Sequence, residues 1–345
     1  MVSPGCELAE REYRKSLRQA VLVNTNPATP QVFSSIQSLL HASKQAAVVL
    51  CSDLHQEVVP AAVSFCKRHS AFLLTDNAFT DSSLSLAVKQ AGFISASLGE
   101  LRSGISQVIC CGKDSLQMLP RLKEFLPVLG SGNVQILPES NPLDTLQNLR
   151  LETLTNKTKN ANLAQGAVDL PGLVLFDRNW LQEDLHIATE LLLWLAELNQ
   201  GQRWYALYIP SAPNSMGICN ALLASAGCPG SMLFSAEGIG YNPRMFQMQQ
   251  LVENGWVDTC IIAGNPDLLP ASVLTSLERI NTILLSPVPP DWKPAISIPV
   301  ARAGVDCTGI MQRLDHIPLP LFPLVRTSRL TIEEVLTTLT VGIPT

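Results

Sequence analysis

Short apolar runs alternate with amphipathic segments along most of the chain. The runs have the length of buried strands, and each is followed by apolar residues at helical spacing. Because strands that alternate with helices form parallel sheets covered on both faces, this pattern predicts an α/β fold. The predicted strands are 46–50, 71–74, 108–111, 134–137, 173–176, 205–209, 257–262, 283–285 and 296–299.

The predicted helices lie between these strands, and two stretches interrupt the alternation. The helix over 185–199 is apolar on all sides, which is typical of burial between domains or against another subunit. Residues 140–170 are polar and predict an excursion on the surface. Residues 227–243 are rich in glycine and proline and predict a long irregular connection that carries function or contacts a neighbouring subunit.

Composition excludes several classes of protein. The chain has 345 residues, of which 46% are hydrophobic, so it is long enough for a large core and for two domains. It carries 29 acidic and 24 basic residues, and the basic residues are scattered, which argues against nucleic-acid binding. The N-terminus lacks the apolar segment of a signal peptide, and the most apolar run, 191–196, is too short to cross a bilayer. We therefore expect a cytoplasmic protein without membrane contact.

The cysteines are not arranged as metal ligands. The chain contains no C-x-x-C pair, and no cysteine lies at zinc or iron–sulfur spacing with a histidine. Free buried thiols are the expected state of all nine: Cys6, Cys51, Cys66, Cys110, Cys111, Cys219, Cys228, Cys260 and Cys307.

The turn over 75–83 is the first candidate site, because it leaves the carboxyl end of a buried strand, where open α/β sheets bind ligands. It contains Asp76, Asn77, Thr80 and Asp81. Residues of these types cap helices and form turns, and none is a soft metal ligand or a nucleophile with a base beside it. The turn is therefore predicted to be structural.

Other candidate residues also favour structural roles. Arg313 and Asp315 are expected to form a buried ion pair that fixes the final loop, and His316 is expected to be exposed. The carboxylates of Asp114, Asp267 and Glu100 lie near predicted helix starts and are expected to cap them. Because no G-x-G-x-x-G or P-loop pattern is present, nucleotide binding has little support.

A series of motifs in a fixed order carries a resemblance to a known family. They are the segments 91–101 and 108–112, the pair 120–121, and the segments 214–217, 240–243, 251–258, 264–267, 298–309 and 313–319. Together they resemble the family of B-type subunits of formylmethanofuran dehydrogenase over nearly the whole chain from about Gln31. The order of the motifs carries the resemblance, since no single motif is sufficient.

The departures from this family concern its cofactors. In the dehydrogenase form, the turn equivalent to Asp76 and Asn77 is followed by a Cys-His pair, and the Cys binds the tungsten or molybdenum of a pterin cofactor. Here the equivalent stretch contains Thr80 and Asp81, so a soft thiolate has been replaced by a hydroxyl. The N-terminal cysteine cluster of the family is also missing. The resemblance therefore implies a protein with no cofactor, no metal and no catalytic residues of its own.

This combination resembles the B-type subunit of the bacterial formyltransferase/hydrolase complex. The complex moves a formyl group from formyl-tetrahydromethanopterin to a methanofuran-type carrier and hydrolyses it to formate, as a step in one-carbon metabolism. The resemblance implies a structural subunit whose partners are the other three: the metal-dependent hydrolase (A-type), the C-type subunit and the formyltransferase (D-type).

The resemblance also implies a discontinuous domain arrangement. Two Rossmann-like, mostly parallel sheet domains are expected, as in the large subunit of molybdopterin and tungstopterin oxidoreductases without its iron–sulfur and C-terminal cofactor domains. Residues 1–30 are an extension, 31–75 and 203–345 form the first domain, and 76–202 form the inserted second domain. Composition alone would favour a boundary near residue 165.

Two alternatives stay open at this point. One is an active tungsten- or molybdenum-pterin dehydrogenase subunit whose metal has lost only its protein ligand. The other is a nucleotide-binding α/β module.

Overall fold

A computed structural model describes residues 29–76, 80–113, 115, 122–126, 129, 134–156, 171–182, 184–210, 212, 214–290 and 292–341. The described chain alternates strands and helices, apart from antiparallel hairpins late in the sequence. In chain order the elements are α1 (Pro30–Ala42), β1 (Ala46–Leu50), α2 (Val58–His69), β2 (Phe72–Thr75), α3 (Thr80–Ala91), α4 (Leu98–Gly104), β3 (Gln107–Cys111), α5 (Leu122–Phe125), β4 (Val134–Leu137), α6 (Pro142–Asn156), β5 (Gly172–Asp177), α7 (Arg178–Leu181), α8 (Leu185–Leu198), β6 (Trp204–Ile209), α9 (Ser215–Ala226), β7 (Met232–Ser235), β8 (Gly238–Tyr241), α10 (Met248–Glu253), β9 (Thr259–Ala263), α11 (Ala271–Leu277), β10 (Asn281–Ser286), β11 (Ile296–Pro299), β12 (Gly309–Gln312), β13 (Pro318–Leu321) and α12 (Ile332–Val341).

The chain divides into two compact units. The first comprises the described part of Met1–Phe79 together with Ala212–Gln312 and Pro318–Thr345. The second comprises Thr80–Ser211 and Arg313–Ile317. Each unit contains its own sheet, so the fold is α/β with two mostly parallel sheets, as the alternation of strands and helices predicted.

The first unit is built on a seven-stranded sheet in the order β11-β10-β9-β1-β2-β7-β8. The strands from β11 to β2 run parallel, whereas β7 and β8 are antiparallel to their neighbours. Every residue of β1 and β9 is buried, which explains why these central strands are continuous apolar runs. One face of the sheet packs in a core with α2, α9 and α12, and the other packs in a core with α10 and α11.

The second unit contains a four-stranded parallel sheet in the order β4-β3-β5-β6. Helix α8 packs against α3 and α6, and its inward-facing residues are buried. The helix begins at the N-cap Asp184, whose carboxylate accepts a hydrogen bond from the backbone N–H of His186 at 2.7 Å. The neighbouring helices of the same unit cover Leu192 and Trp194, so the apolar face that was expected to lie between domains or against another subunit is buried within its own unit.

Three stretches differ from the elements expected from sequence. Residues 142–156, placed in a surface excursion, form α6, and Arg150 of this helix pairs with Glu190 and Glu197 of α8. Residues 227–243, expected to be irregular, contain the β7–β8 hairpin at the end of the first sheet. Residues 309–321 contain a two-stranded antiparallel sheet of β12 and β13. In each case the pairing or packing partner is distant in sequence or lies in a stretch rich in glycine or proline.

The units differ from the expected domain limits at the first boundary, which lies after Phe79 instead of after residue 75, and in one strand and one short segment. Strand β6 was expected in the first domain, but it pairs with β5 along its whole length and so belongs to the second sheet. Residues 313–317 also belong to the second unit, where the N–H of Leu98 donates to the carboxylate of Asp315. Among the described residues, none of the helices combines the length and the apolar character needed to cross a bilayer.

Candidate functional site

The turn after β2 begins with a carboxylate that the protein itself holds. Asp76 is only 8% exposed. Its Oδ2 accepts a hydrogen bond from the backbone N–H of Ser52 at 2.7 Å, and its Oδ1 accepts one from the Ser52 hydroxyl. Since Ser52 follows β1 and Asp76 follows β2, these bonds join the carboxyl ends of two adjacent parallel strands.

The structure describes the other predicted residues of this turn in less detail. Thr80 and Asp81 are the first two residues of α3, which agrees with a role at a helix start. Asn77 lies outside the described residues. Of these four residues, Asp76 is the one whose side-chain contacts the structure describes.

The carboxylate of Asp53 lies between β1 and β9, where the strand order of the first sheet reverses. The backbone N–H of Asn265 donates to Oδ1 of Asp53 at 3.0 Å, and Arg302 lies 3.9 Å from Oδ2. Gly264 lies against the same residues at φ +107°, and a Cβ there would lie 2.7 Å from Oδ1 of Asp53. This reversal is where open α/β sheets form a ligand crevice, and here Asp53 and its partners occupy it.

Asn214, at the start of α9, makes three hydrogen bonds at the same end of the sheet. Its backbone N–H donates to the carbonyl of Ser52 at 3.0 Å, and its side-chain N–H₂ donates to the carbonyl of Leu54 at 2.6 Å. Its Oδ1 accepts from the N–H of Gln312 at 2.7 Å. Gly217 is required beside it, because a Cβ there would lie 2.1 Å from Oδ1 of Asn214. Sequence analysis found this Asn-x-x-Gly only as a family motif, without its role.

Two thiols near this end of the sheet have a raised pKa. Burial raises the pKa of Cys51 well above its ordinary value, and the carboxylates of Asp76 and Asp53 raise it further. Burial and nearby carboxylates, Glu333 foremost among them, raise the pKa of Cys307 to about 12. Because the thiolate is the form that binds metals and attacks electrophiles, neither cysteine is prepared for those roles.

Sequence analysis missed one histidine at this site. His55 is buried, and its Nε2 lies 3.1 Å from Oε1 of Glu333, the second residue of α12. The pair links the loop after β1 to the C-terminal helix. Its only sequence signal was a histidine shortly after a buried strand, because the carboxylate partner lies far along the chain.

In the second sheet, a buried carboxylate likewise lies where the strand order reverses. Between β3 and β5, Oδ2 of Asp177 accepts a hydrogen bond from the hydroxyl of Ser115 at 2.6 Å. Its Oδ1 accepts from the backbone N–H groups of Asn179 at 2.7 Å and Trp180 at 3.1 Å, which caps α7. The carboxylate is 1% exposed and directed at protein donors.

Some expectations for the remaining candidate residues are confirmed and others are wrong. Arg313 and Asp315 form the expected ion pair, but only Asp315 is buried and the Arg313 side chain is 41% exposed; Glu100 forms a capping box with Ser97. At the Asp267 turn the cap is Asn265, whose side chain accepts from the N–H of Asp267. Asp114 lies outside the described residues.

His316 is the expectation that was wrong. It was expected to be exposed, but it is partly buried, lies at φ +59°, and packs its ring edge-to-face with Phe93 at 4.9 Å between ring centres. Burial lowers its pKa. The packing against an aromatic ring some 220 residues earlier in the chain was not readable from the local sequence.

The donor set at the end of the first sheet does not fit a tungsten- or molybdenum-pterin centre. The metals of such centres take soft thiolate ligands, whereas the turn offers carboxylates and hydroxyls, with Asp76 already bonded to Ser52. Among the residues that the structure describes, no three histidine, cysteine, aspartate or glutamate side chains are grouped to hold a metal ion.

Comparison with known proteins bears on the fold. No protein-family model and no curated protein matches the chain. A solved structure does match: a chain in the X-ray crystal structure of the formyltransferase/hydrolase complex (FhcABCD) from Methylorubrum extorquens in complex with methylofuran. The TM-score is 0.71 at 14% sequence identity, over 91% of this chain and 96% of that chain. This chain shares the fold of that chain.

Proposed function

We propose that this protein is a non-catalytic, cofactor-free structural subunit of a formyltransferase/hydrolase complex, equivalent to its B-type subunit. In that complex a formyl group passes from formyl-tetrahydromethanopterin to a methanofuran-type carrier and leaves as formate, in the oxidation of one-carbon units in the cytoplasm. The observation that carries the proposal is the common fold with a chain of such a complex over 91% of this chain.

The geometry at the carboxyl ends of the strands supports a structural role. In the first unit, the carboxylate of Asp76 accepts hydrogen bonds from Ser52, and that of Asp53 accepts one from Asn265. In the second unit, the carboxylate of Asp177 accepts a hydrogen bond from Ser115. Each carboxylate is used to join two chain segments, and general acid–base or metal chemistry would need it free to meet a substrate or ion.

We further propose that the partners are the metal-dependent hydrolase (A-type), the C-type and the formyltransferase (D-type) subunits, and that the hydrolase and the formyltransferase carry the chemistry. The two compact units then represent the two domains of the discontinuous arrangement, with the second inserted after β2 and a short segment, Arg313–Ile317, added to it. Strand β6 lies in the inserted domain in this arrangement.

Co-expression tests the proposal. The full chain is produced with an affinity tag together with candidate hydrolase, C-type and formyltransferase subunits, and the bound proteins are identified by mass spectrometry. We expect the hydrolase and the formyltransferase to be recovered with the chain in fixed ratio, and we expect no formyl-transfer activity from the chain alone. A chain that binds none of these proteins, or that transfers formyl groups by itself, would overturn the proposal.

A further inference from the structure

Among the residues that the structure describes, no strand covers the outer edge of β8, the last strand of the first sheet. It follows β7 through the two-residue connection Ala236-Glu237, and the flanking residues Ser235 and Gly238 are paired. In the described part of the chain, the sheet ends at β8 and no strand lies on its far side. An open strand edge presents backbone N–H and C=O groups that can pair with another strand.

The direction of these groups follows from the neighbouring pairs. The N–H of Phe234 donates to the carbonyl of Ala71 at 3.1 Å, so Phe234 directs its backbone toward β2 and away from β8. In an antiparallel ladder its opposite residue, Ile239, then directs its own backbone groups away from β7. Tyr241, two residues further, points the same way. Ile239 and Tyr241 thus offer donors and acceptors along the outer edge.

We propose that β8 pairs in antiparallel fashion with β8 of a second copy of this chain, about a two-fold axis at Gly240. In this register Ile239 of one copy lies opposite Tyr241 of the other, and the reverse pair is formed by the same symmetry. Both residues direct their backbone outward, so each pair exchanges both of its hydrogen bonds. The edge is therefore complementary to itself, as a two-fold interface requires.

The side chains on this edge agree with the same register. Glycine at the axis leaves no side chain to meet its copy, and a Cβ at Gly240 would make only ordinary contacts, at 3.9 Å, within its own chain. Ile239 is 40% exposed and would meet the ring of Tyr241, and β-branched and aromatic residues form favourable cross-strand pairs. Exposed Glu237 would lie at the end of the pairing next to exposed Arg244 of the second copy.

Opposite charges at both ends of the register favour a second copy over an unrelated strand. Glu237 lies in the connection before β8 and Arg244 in the turn after it, so antiparallel pairing places the ends that carry unlike charges beside each other twice. A parallel pairing of the same strands would instead place like charges side by side. The paired strands are short, so we expect a weak dimer whose population rises with protein concentration.

Sedimentation of the full-length chain on its own tests the inference. We expect the average mass to rise with concentration toward twice that of one chain, and hydrogen exchange in the hairpin to slow as it does. Ile239→Pro removes an outward N–H and leaves the bonds to β7 intact, so this variant should fold but remain a monomer. Ile239→Thr keeps the N–H and is the matched control that should still dimerise.

Charge variants provide an independent arm that does not depend on proline. Glu237→Arg should weaken the dimer by at least about tenfold, and adding Arg244→Glu to it should restore the wild-type dimer. If the chain is recovered only with other proteins, native mass spectrometry of the assembly makes the same comparison, with two copies expected for wild type and one for Ile239→Pro. A wild-type chain that stays monomeric, an edge covered by another segment or protein, or a dimer unaffected by these variants would each overturn the inference.

Discussion

Asp76 accepts hydrogen bonds from both the backbone N–H and the hydroxyl of Ser52, the first at 2.7 Å. This arrangement joins the ends of β1 and β2. A buried carboxylate that is hydrogen-bonded in this way is expected to stabilise the fold.

The Ser52–Asp76 contact should therefore matter for stability and not for activity. Asp76→Ala leaves two buried donors of Ser52 without this acceptor, and we expect the free energy of unfolding to fall by about 1–3 kcal/mol. Asp76→Asn keeps one acceptor oxygen and should lose less. Chemical denaturation measures the stability, and an intact complex containing either variant should keep near-wild-type formyl transfer. A thousandfold loss of activity in an intact complex would contradict the structural role.

The start of α3 should behave as a helix terminus. Thr80→Ala or Asp81→Ala should remove at most a cap, with a cost of roughly 0.5–2 kcal/mol in unfolding free energy. Thermal unfolding of each variant measures this cost, and activity assays of the assembled complex provide the comparison. A loss of activity in a complex that still assembles would show that this turn has a catalytic role.

Helix α8 should be part of the protein's own core. Leu192 is 2% exposed in a helix packed on α3 and α6, so Leu192→Asp would bury an unpaired carboxylate. We expect this variant to unfold or to lose more than about 4 kcal/mol of stability. Leu185→Asp, in the first turn of the same helix at a site that is 36% exposed, is the matched control and should remain folded. Circular dichroism on heating separates the two results. A folded Leu192→Asp variant that only loses its partners would show that the helix faces another protein.

The sequence was sufficient for elements whose signal is local. Strands such as β1 and β9 are buried on both faces, and their continuous apolar runs predicted them closely. The turn at Asp76 and the Arg313–Asp315 pair were likewise recognised from residue types at short spacing. The absence of soft ligands predicts a structural role for the turn, and this role stays a prediction.

Elements that depend on distant partners were not predictable in this way. Helix α6 has a mostly polar surface and is held by ion pairs from Arg150 to α8, some 40 residues later. Strand β8 is short, contains two glycines and exists through its pairing with β7. The closing contacts Asp53–Asn265 and His55–Glu333 join residues more than 200 positions apart. No local pattern marks such pairs.

The ion pair of the final loop predicts a dependence of stability on pH. Burial alone would raise the pKa of Asp315, but its hydrogen bonds from Arg313 and from the N–H of Leu98 lower it below the ordinary 3.8. The stabilisation is therefore complete above the pKa of the unfolded state and is lost as pH falls through the lower pKa of the folded state. Asp315→Asn should be less stable than wild type at neutral pH, and the difference should shrink in acid.

Urea unfolding of wild type and Asp315→Asn at neutral pH and at about pH 3 measures this difference. Glu152→Gln, which replaces an exposed carboxylate in the same unit, is the control and should track the wild-type midpoint at both pH values. A stability difference that is equal at both pH values would show that the lowered pKa of Asp315 contributes nothing to folding.

Isolation of the protein from its native host by a tag on this chain tests the central claim most directly. The bound proteins are identified and the tungsten and molybdenum content is measured on the same sample. We predict that metal-dependent hydrolase and formyltransferase subunits accompany the chain and that neither metal is present in stoichiometric amount. A chain isolated without those subunits, or with about one tungsten or molybdenum per chain bound to a pterin, would contradict the account.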